Sequence, residues 1–353
     1  MIESRPGEPS RVFSGHVGDT CPASELKPHD YLLAAGRFDS EGSWAFCRFD
    51  SLKVPAVRFG FEQGGFNLGS EDRAVDPDFL QLHLEVVTNE GALLWLPSGR
   101  YPASQVSSDP HHMDLRLAQR GREIFRIQGW PEMQWHFRSE EGEVEVDLRF
   151  TLDTATVLPD CILPQCLFAM WAATGRAEGN VRTGNQTEAV KGLVFYDHPR
   201  VLSGPNPVLP RKIYLYTTMF FADGSRILGY HAVDERNQPI PYYCFGVYID
   251  PTLHGHFLPN ARTTGLQLDE DNIPERWDLS WRSEEVLLEA QIAVRDWGLK
   301  RAWGSPTSPK NRREFIIFPL VLEGQAMISE RGWTRKQVGL GLAEYFNQEY
   351  WPA

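Results

Sequence analysis

The feature that most constrains the fold of this chain is a two-residue alternation of apolar and polar side chains. In the clearest segment, residues 143–153, every second residue is apolar and most residues between them are charged. Because successive side chains of a strand point to opposite faces, this period predicts a strand with one buried face. Residues 133–138 precede it across a Ser-Glu-Glu-Gly turn, and the glycine of that turn favours a hairpin.

Turn residues separate many further segments of this kind. A second hairpin is predicted over residues 80–96. Additional strands are predicted near residues 31–37, 43–50, 54–61, 122–128, 164–172, 241–249, 286–295 and 314–323. Strands at this spacing are typical of antiparallel sandwiches and barrels rather than of alternating βαβ units. We therefore predict an all-β protein with few helices.

The segment 334–348 has signals for two different structures. Thr334 and Gln337 match the capping box at the start of a helix. Gly339 and Gly341 oppose a helix, because each glycine would cost a helix interior about 1 kcal/mol relative to alanine. The sequence leaves helix and strand open here and favours a closing strand.

The composition excludes several classes of function. The formal net charge of −12 disfavours nucleic acids and anionic membranes as partners, because phosphate binding needs clustered Lys and Arg. No apolar run reaches the roughly 20 residues of a membrane-spanning helix, and the N-terminus lacks the apolar stretch of a signal peptide. We predict a cytoplasmic protein without a membrane span or a nucleic-acid partner.

Cysteines and known motifs give no sign of a cofactor. The five cysteines form no CxxC pair, which favours reduced thiols over a zinc site or a disulfide framework. No glycine-rich phosphate loop, GxSxG elbow or HExxH helix is present. We therefore predict no cofactor.

Two short similarities indicate an internal duplication. Residues 135–141 resemble residues 279–285, and both segments end in Arg-Ser-Glu-Glu. The turn at residues 39–43 resembles the turn at 222–225, and each follows a strand that begins with Tyr-Leu. The same order in both halves predicts two related β-domains.

The boundary between these domains is predicted near residues 174–190. That segment is polar and contains glycine, as a linker between domains should. A chain of 353 residues is long enough for two domains. We place the domains at residues 1–185 and 186–353.

Protonatable side chains interrupt an apolar strand at the start of the second predicted domain. Tyr196 and His198 are two residues apart, so a strand points both to the same face. Imidazole titrates near neutrality and can act as a general acid or base. We expect Pro199 to end the strand there and to place His198 near a rim. Asp197 faces away from His198 unless the strand is bulged.

The strand that follows the Asp-Gly turn carries a second protonatable pair. Tyr230 and His231 face opposite sides, so only one of them can share a cavity with His198. Asp234 follows on a loop. Because an apolar pocket favours the neutral form of a carboxyl group, Asp197 or Asp234 could protonate an alkene or carbonyl.

Two histidine clusters leave a metal-dependent function open. Residues 109–114 contain two histidines and two aspartates, and His254 and His256 are two residues apart. Zinc needs three or four convergent ligands. The first cluster lies in a proline-bearing loop, and nothing in the sequence shows that it meets the second. We assign no metal ligand, and a metal-dependent enzyme using His254 and His256 stays a weaker hypothesis.

Three stretches resemble the motifs of one known family. Residues 191–198, Lys-Gly-Leu-Val-Phe-Tyr-Asp-His, are similar to the strand that opens its second domain. Residues 220–230 are similar to its Asp-Gly hairpin and tyrosine-bearing strand, and residues 339–345 to its terminal Gly-x-Gly-x-x-Glu strand. The family is the lipocalin-like two-domain family of carotenoid 1,2-hydratase (hydroxyneurosporene synthase) and related natural-product cyclases.

The resemblance implies two lipocalin-like antiparallel β-barrel or sandwich domains packed together, with an apolar cavity. It implies binding of an isoprenoid or polyketide-type intermediate and acid-assisted cyclisation, isomerisation or hydration. The predicted catalytic residues are His198, Tyr230, Asp197 and Asp234. The predicted substrate-binding residues are Tyr196, Tyr214, Tyr216, Phe220, His231 and Glu344. A non-catalytic carrier of a small hydrophobic ligand would use the same cavity and is the alternative hypothesis.

Overall fold

The computed structural model describes residues 2–3, 8, 16–26, 40–63, 79–89, 91–95, 100–109, 113–139, 141–159, 161–162, 167–202, 213–234, 236–304 and 312–350. These residues form strands and turns, with short 3-10 helices at Ala23–Glu25 and Ala103–Gln105 and no α-helix. Within the same ranges, no helix has the length and apolar character needed to cross a bilayer. The predicted all-β class is confirmed.

The strands are numbered in chain order and include most of those predicted from alternation. The predicted strand at 31–37 lies outside the described residues. The strands are β1 (Ile2–Glu3), β2 (Thr20–Pro22), β3 (Ser40–Phe49), β4 (Ala56–Gln63), β5 (Phe79–Thr88), β6 (Gly91–Trp95), β7 (Arg100–Pro102), β8 (Val106–Asp109), β9 (Asp114–Gln119), β10 (Arg122–Gln128), β11 (Glu132–Arg138), β12 (Val144–Val157), β13 (Cys161–Ile162), β14 (Leu167–Thr183), β15 (Gln186–Leu202), β16 (Ile213–Phe221), β17 (Arg226–Val233), β18 (Pro239–Ile249), β19 (Gly255–Leu258), β20 (Asn260–Leu268), β21 (Pro274–Arg282), β22 (Val286–Gly304), β23 (Arg312–Glu330) and β24 (Trp333–Tyr350).

The chain divides into two compact units, Met1–Val208 and Leu209–Ala353. The first unit contains a sheet with the strand order β6-β5-β4-β3-β15-β14-β12-β11-β10-β9-β8, to which the short strands β1, β2, β7 and β13 attach. The second unit contains a sheet with the order β19-β18-β17-β16-β24-β23-β22-β21-β20. Neighbouring strands within each of these two orders are antiparallel.

The boundary between the two units lies after Val208, later in the chain than the predicted boundary at residue 185. Strand β15, which that boundary assigned to the second domain, pairs with β14 and β3 of the first sheet. The predicted linker at 174–190 is instead the end of the long β14–β15 hairpin, which turns at residues 184–185. Its residues are polar because this part of the hairpin exposes one face to solvent.

Both sheets are built in the same order, as the predicted duplication requires. In each sheet the first long strand pairs with the last one, β3 with β15 and β16 with β24. Strands β11 and β21, which lead into the repeated Arg-Ser-Glu-Glu, occupy equivalent positions. The predicted equivalence of the turns at 39–43 and 222–225 is wrong, because residues 40–43 already belong to β3.

The segment 334–348 lies within β24, so the favoured strand is confirmed. Its two glycines leave room for the neighbouring strand β16 to pack closely. A Cβ atom on Gly341 would lie 2.0 Å from the carbonyl oxygen of Thr218, and one on Gly339 would lie 2.7 Å from the ring of Phe221. The glycines that oppose a helix therefore allow close packing in the sheet.

The core of the first unit follows the predicted alternation. Along β12 the apolar residues from Val144 to Leu152 are buried, and the residues between them are exposed or partly exposed. Trp135 packs edge-on against Phe59 and lies near Phe150, with ring centroids 4.7 and 5.6 Å apart. Such aromatic pairs add about 0.5–1.5 kcal/mol each beyond the area that they bury.

The core of the second unit is organised around Trp281. A Cβ atom on Gly229 or on Gly246 would lie 2.4 Å from the Trp281 ring. These two glycines are register partners on β17 and β18, so together they leave a flat space for the indole. The ring fills this space and is fully buried.

Candidate active site

Strand β15 places Tyr196 and His198 on the inner face of the first sheet, beside Ser43 of β3. The strand continues through Pro199 to Leu202, so the prediction that Pro199 ends it is wrong. The Nδ1 atom of His198 lies 3.1 Å from the Tyr196 hydroxyl oxygen and 3.2 Å from the Ser43 hydroxyl oxygen. The two hydroxyl groups are also hydrogen-bonded to each other. All three side chains are completely buried. We call this set the Ser43–Tyr196–His198 cluster.

Tryptophan rings enclose the cluster. Trp171, the register partner of His198, stacks on the imidazole with ring centroids 5.4 Å apart and an interplanar angle of 14°. Trp130 contacts Trp171 and Tyr196 at centroid distances of 5.1 and 6.1 Å, and Trp135 lies 5.8 Å from Tyr196. The faces of such rings attract positive charge, so they would stabilise a cation formed beside them.

The cluster can hold a proton and move it among three atoms. A neutral His198 accepts a hydrogen bond at Nδ1 from either hydroxyl group, whereas the imidazolium donates through the same atom. Because water is excluded, hydrogen bonds among these groups are electrostatically stronger than in solution. A reacting group beside Tyr196 would meet a hydroxyl whose proton can be replaced through His198, which is an arrangement for general acid catalysis.

Asp197 points to the opposite face of β15. That strand pairs with β14 without a register shift, so no bulge turns Asp197 toward the cluster. Its register partner on β3 is Trp44, whose ring centroid lies 4.0 Å from the Arg58 guanidinium carbon. Arg58 forms a buried ion pair with Glu85 at 3.2 Å. The role of Asp197 as an acid stays a prediction.

Tyr230 belongs to a row of aromatic residues on one face of the second sheet. Its ring stacks on Tyr216 at a centroid distance of 4.2 Å and lies 5.5 Å from Tyr214 and 5.3 Å from Phe245. Glu344 is the register partner of Tyr216 and so continues the row onto β24. The predicted substrate-binding residues on this face are Tyr214, Tyr216, Phe220 and Glu344.

His231 points to the other face of β17, as the alternation predicts. Its Nδ1 atom accepts a hydrogen bond from the Thr263 amide at 3.4 Å and lies 3.7 Å from the Cys244 sulfur. Burial lowers the pKa of His231 below its ordinary value of 6.5, and a hydrogen bond to the Ala261 backbone opposes this effect only in part. Burial also raises the pKa of Cys244, so this thiol is protonated at neutral pH.

Asp234 holds a hairpin turn. Its Oδ1 atom accepts hydrogen bonds from the amides of Arg236 and Gln238 at 2.8 and 2.9 Å. Asp250 and Asp269 accept the same pair of amide hydrogen bonds in the two turns that follow. An aspartate that caps its own turn in this way has a structural reason to be present, and an acid role for Asp234 stays a prediction.

The predicted site residues fall into groups that belong to different units. Tyr196 and His198 lie in the first unit, and Tyr230 lies in the second. Strand β17, which carries Tyr230, pairs with β16 and β18 and not with β15. The structure therefore brings His198 together with Tyr196, and Tyr230 together with Tyr216.

Ser43 is a member of the cluster that motif comparison does not find. It interrupts the buried apolar face of β3, which continues with Ala45 and Cys47. This polar interruption is the signal that the sequence offers for it. Trp171 and Trp130 join the cluster only through the pairing of distant strands and have no comparable signal.

The structure describes the surroundings of only one of the two histidine clusters, the pair His254 and His256. Residues 110–112 of the segment 109–114 lie outside the described residues. His254 is exposed and meets the edge of the His256 ring at a centroid distance of 4.9 Å, whereas His256 is buried. The metal-binding group that the described residues offer joins His256 to Asp250 and Glu330 and leaves out His254.

Solved structures resemble this fold, although the sequence matches no protein-family model and no curated protein. A candidate AttH (NE1406) from Nitrosomonas europaea is 10% identical with a TM-score of 0.55, over 88% of this chain and 93% of that one. The chain has the two-unit lipocalin-like fold. Kievitone hydratase from Nectria haematococca is 9% identical with a TM-score of 0.49 over 97% of both chains, and CghA is 10% identical with a TM-score of 0.48 over 98% of both. At these identities the likeness concerns the fold alone.

Proposed function

We propose that the chain is a cytoplasmic enzyme that binds a mostly apolar isoprenoid or polyketide-type intermediate and catalyses its acid-assisted cyclisation, isomerisation or hydration. The observation that carries this proposal is the Ser43–Tyr196–His198 cluster, buried against Trp171 and Trp130. If this position served stability alone, apolar residues of similar size would stabilise the core about as well as three mutually hydrogen-bonded polar groups.

Protonation of a carbon–carbon double bond needs two things that the surroundings of this cluster offer. The first is a proton donor in a site from which water is excluded, so that the cation is not trapped prematurely. The second is a surface that stabilises the developing positive charge, which aromatic rings supply. The ring centroids of Trp171, Trp130 and Trp135 lie 5.4, 6.1 and 5.8 Å from the nearest ring of the cluster.

The proposed roles follow from the positions of the three groups. Tyr196 delivers the proton, His198 replaces it through Nδ1, and Ser43 orients the Tyr196 hydroxyl. The second sheet has an aromatic face suited to an apolar chain that ends in a polar group. This face consists of Tyr214, Tyr216, Phe220 and Tyr230, with Glu344 beside Tyr216. Cys21, Cys47 and Cys244 are free thiols, which suits the cytoplasm.

Substitutions on the two faces of β15 test the proposal. His198→Gln and Tyr196→Phe should each lower turnover of the true substrate by about 100-fold or more, the usual contribution of a general acid. Lys191→Gln is the matched control, because it changes an exposed protonatable group on the same strand but on the opposite face. Its turnover should stay near that of the wild-type protein.

Two results would contradict the proposal. Retained turnover in both His198→Gln and Tyr196→Phe would remove the cluster from the reaction. Recovery of a bound ligand unchanged after long incubation with the wild-type protein would favour the carrier hypothesis instead.

A further inference from the structure

A buried histidine in the second unit lies between two carboxylates, in a group separate from the candidate active site. His256 of β19 is 5% exposed. Its Nε2 atom lies 3.9 Å from Oδ2 of Asp250 and 3.5 Å from Oε1 of Glu330. Asp250 begins the turn between β18 and β19, and Glu330 ends β23. One ligand atom from each residue lies within 4.8 Å of the other two.

Each carboxylate gives one oxygen to the surrounding structure and turns the other toward His256. Oδ1 of Asp250 accepts hydrogen bonds from two turn amides and from the Thr252 hydroxyl. Oε2 of Glu330 pairs with Arg335 at 3.6 Å.

The Nε2 atom of His256 is a second observation that points to a ligand. Among the described residues it has no hydrogen-bond partner, although the side chain is almost completely buried. Tyr248 stacks on the ring at a centroid distance of 5.6 Å and fixes its plane. On the other side of the ring, Nδ1 faces Oε2 of Glu285 at 3.7 Å. A metal-bound histidine has this arrangement, with a carboxylate orienting its second nitrogen.

We propose that Asp250, His256 and Glu330 bind one divalent transition-metal ion of the zinc type. Ligand atoms about 2.0–2.2 Å from a tetrahedral zinc ion are about 3.3–3.6 Å from one another. The separation of His256 and Glu330 matches this range, and a small rotation of the Asp250 carboxylate brings its oxygen within it. Three protein ligands leave one coordination position for water.

The ion would tie an edge strand to the middle of the sheet. Among the described strands, β19 stands at one end of the second sheet beside β18, whereas β23 lies between β22 and β24. Binding to the folded state alone stabilises a protein by mass action, so the ion should raise the melting temperature. The proposal does not depend on the acid chemistry of the first unit, and it departs from the sequence-based expectation of no metal ligand.

Metal titration of the full-length protein tests the proposal. The protein, freed of metal with a chelator at pH 7.5, is titrated with Zn²⁺ by calorimetry and with Co²⁺ by visible absorption. We expect one ion per chain and a visible absorption spectrum typical of four-coordinate Co²⁺. His256→Gln and Glu330→Gln should each weaken binding by at least about 100-fold, and Glu285→Gln by about tenfold.

His254→Ala is the matched control, because it removes the neighbouring imidazole without removing a ligand. Its affinity for Zn²⁺ should equal that of the wild-type protein. The absence of saturable Zn²⁺ and Co²⁺ binding to the wild-type protein would overturn the proposal. Equal binding by folded His256→Gln would overturn it as well. Since the wild-type titration needs no variant, misfolding of a variant does not leave the proposal untested.

Discussion

The three polar atoms of the Ser43–Tyr196–His198 cluster share hydrogen bonds, so removal of each hydroxyl group should have a different effect. Ser43→Ala leaves the 3.1 Å contact between Tyr196 and His198 in place. We expect this variant to lose about 1 kcal/mol of unfolding free energy, the net value of one hydrogen bond, and to lose less turnover than Tyr196→Phe. Urea unfolding and initial rates measure the two effects. Turnover as low as that of Tyr196→Phe would contradict the orienting role of Ser43.

Only part of this cluster could be predicted from the sequence of a single strand. Tyr196 and His198 follow from the two-residue period of one strand, because both point to the same face. Ser43 is 155 residues away from His198, and its place depends on the pairing of β3 with β15. No local rule predicts that pairing, so the cluster could be predicted only in part.

His231 should make the protein sensitive to mild acid. Its pKa in the folded state lies below 6.5 because burial disfavours the imidazolium, so on acidification the unfolded state takes up a proton first. The contribution of neutral His231 to the free energy of unfolding is therefore complete above pH 6.5. Below that pH it falls by up to about 1.4 kcal/mol per pH unit until the folded-state pKa is reached. Denaturant unfolding at pH 7.5 and pH 5.5 measures this loss. His231→Gln should show a smaller loss, and an equal loss in both proteins would contradict the prediction.

At the scale of elements, the glycines of β17 and β18 are matched to a single side chain. Because a Cβ atom on Gly246 would lie 2.4 Å from the Trp281 ring, Gly246→Ala should cost about 1–3 kcal/mol of unfolding free energy. In a Trp281→Leu background the same change should cost less, since the clash is gone. A double-mutant cycle by urea unfolding measures the coupling, with exposed Val338→Ala of β24 as the control. Additive effects of Gly246→Ala and Trp281→Leu would contradict it.

Alternation predicts strands well and predicts their ends and exposed hairpins poorly. The strand at residues 143–153 is confirmed within β12, where one face is buried throughout. The β14–β15 hairpin has the composition of a linker because part of it exposes a polar face, and the predicted boundary at residue 185 therefore falls inside the first sheet. A linker and a solvated hairpin differ only in backbone pairing, which composition does not record.

At the scale of the whole molecule, the order of strands carries more information than any motif. The first and last long strands of each unit are paired, and the strands on either side follow in matching order. This repetition relates the units to each other and, together with the AttH structure, gives the fold. It does not give the reaction, because function depends on the side chains placed on a fold.

The central claim is that the chain protonates an apolar substrate through the Ser43–Tyr196–His198 cluster. The most direct test incubates the full-length protein in D₂O with the apolar metabolites of its source organism and analyses the mixture by mass spectrometry. A proton delivered to carbon from an exchanged hydroxyl leaves one deuterium that does not wash out. We predict a product of the wild-type protein with one such deuterium, and little or none of it with Tyr196→Phe or His198→Gln. Metabolites that remain unchanged with the wild-type protein, or equal labelling by the variants, would contradict the claim.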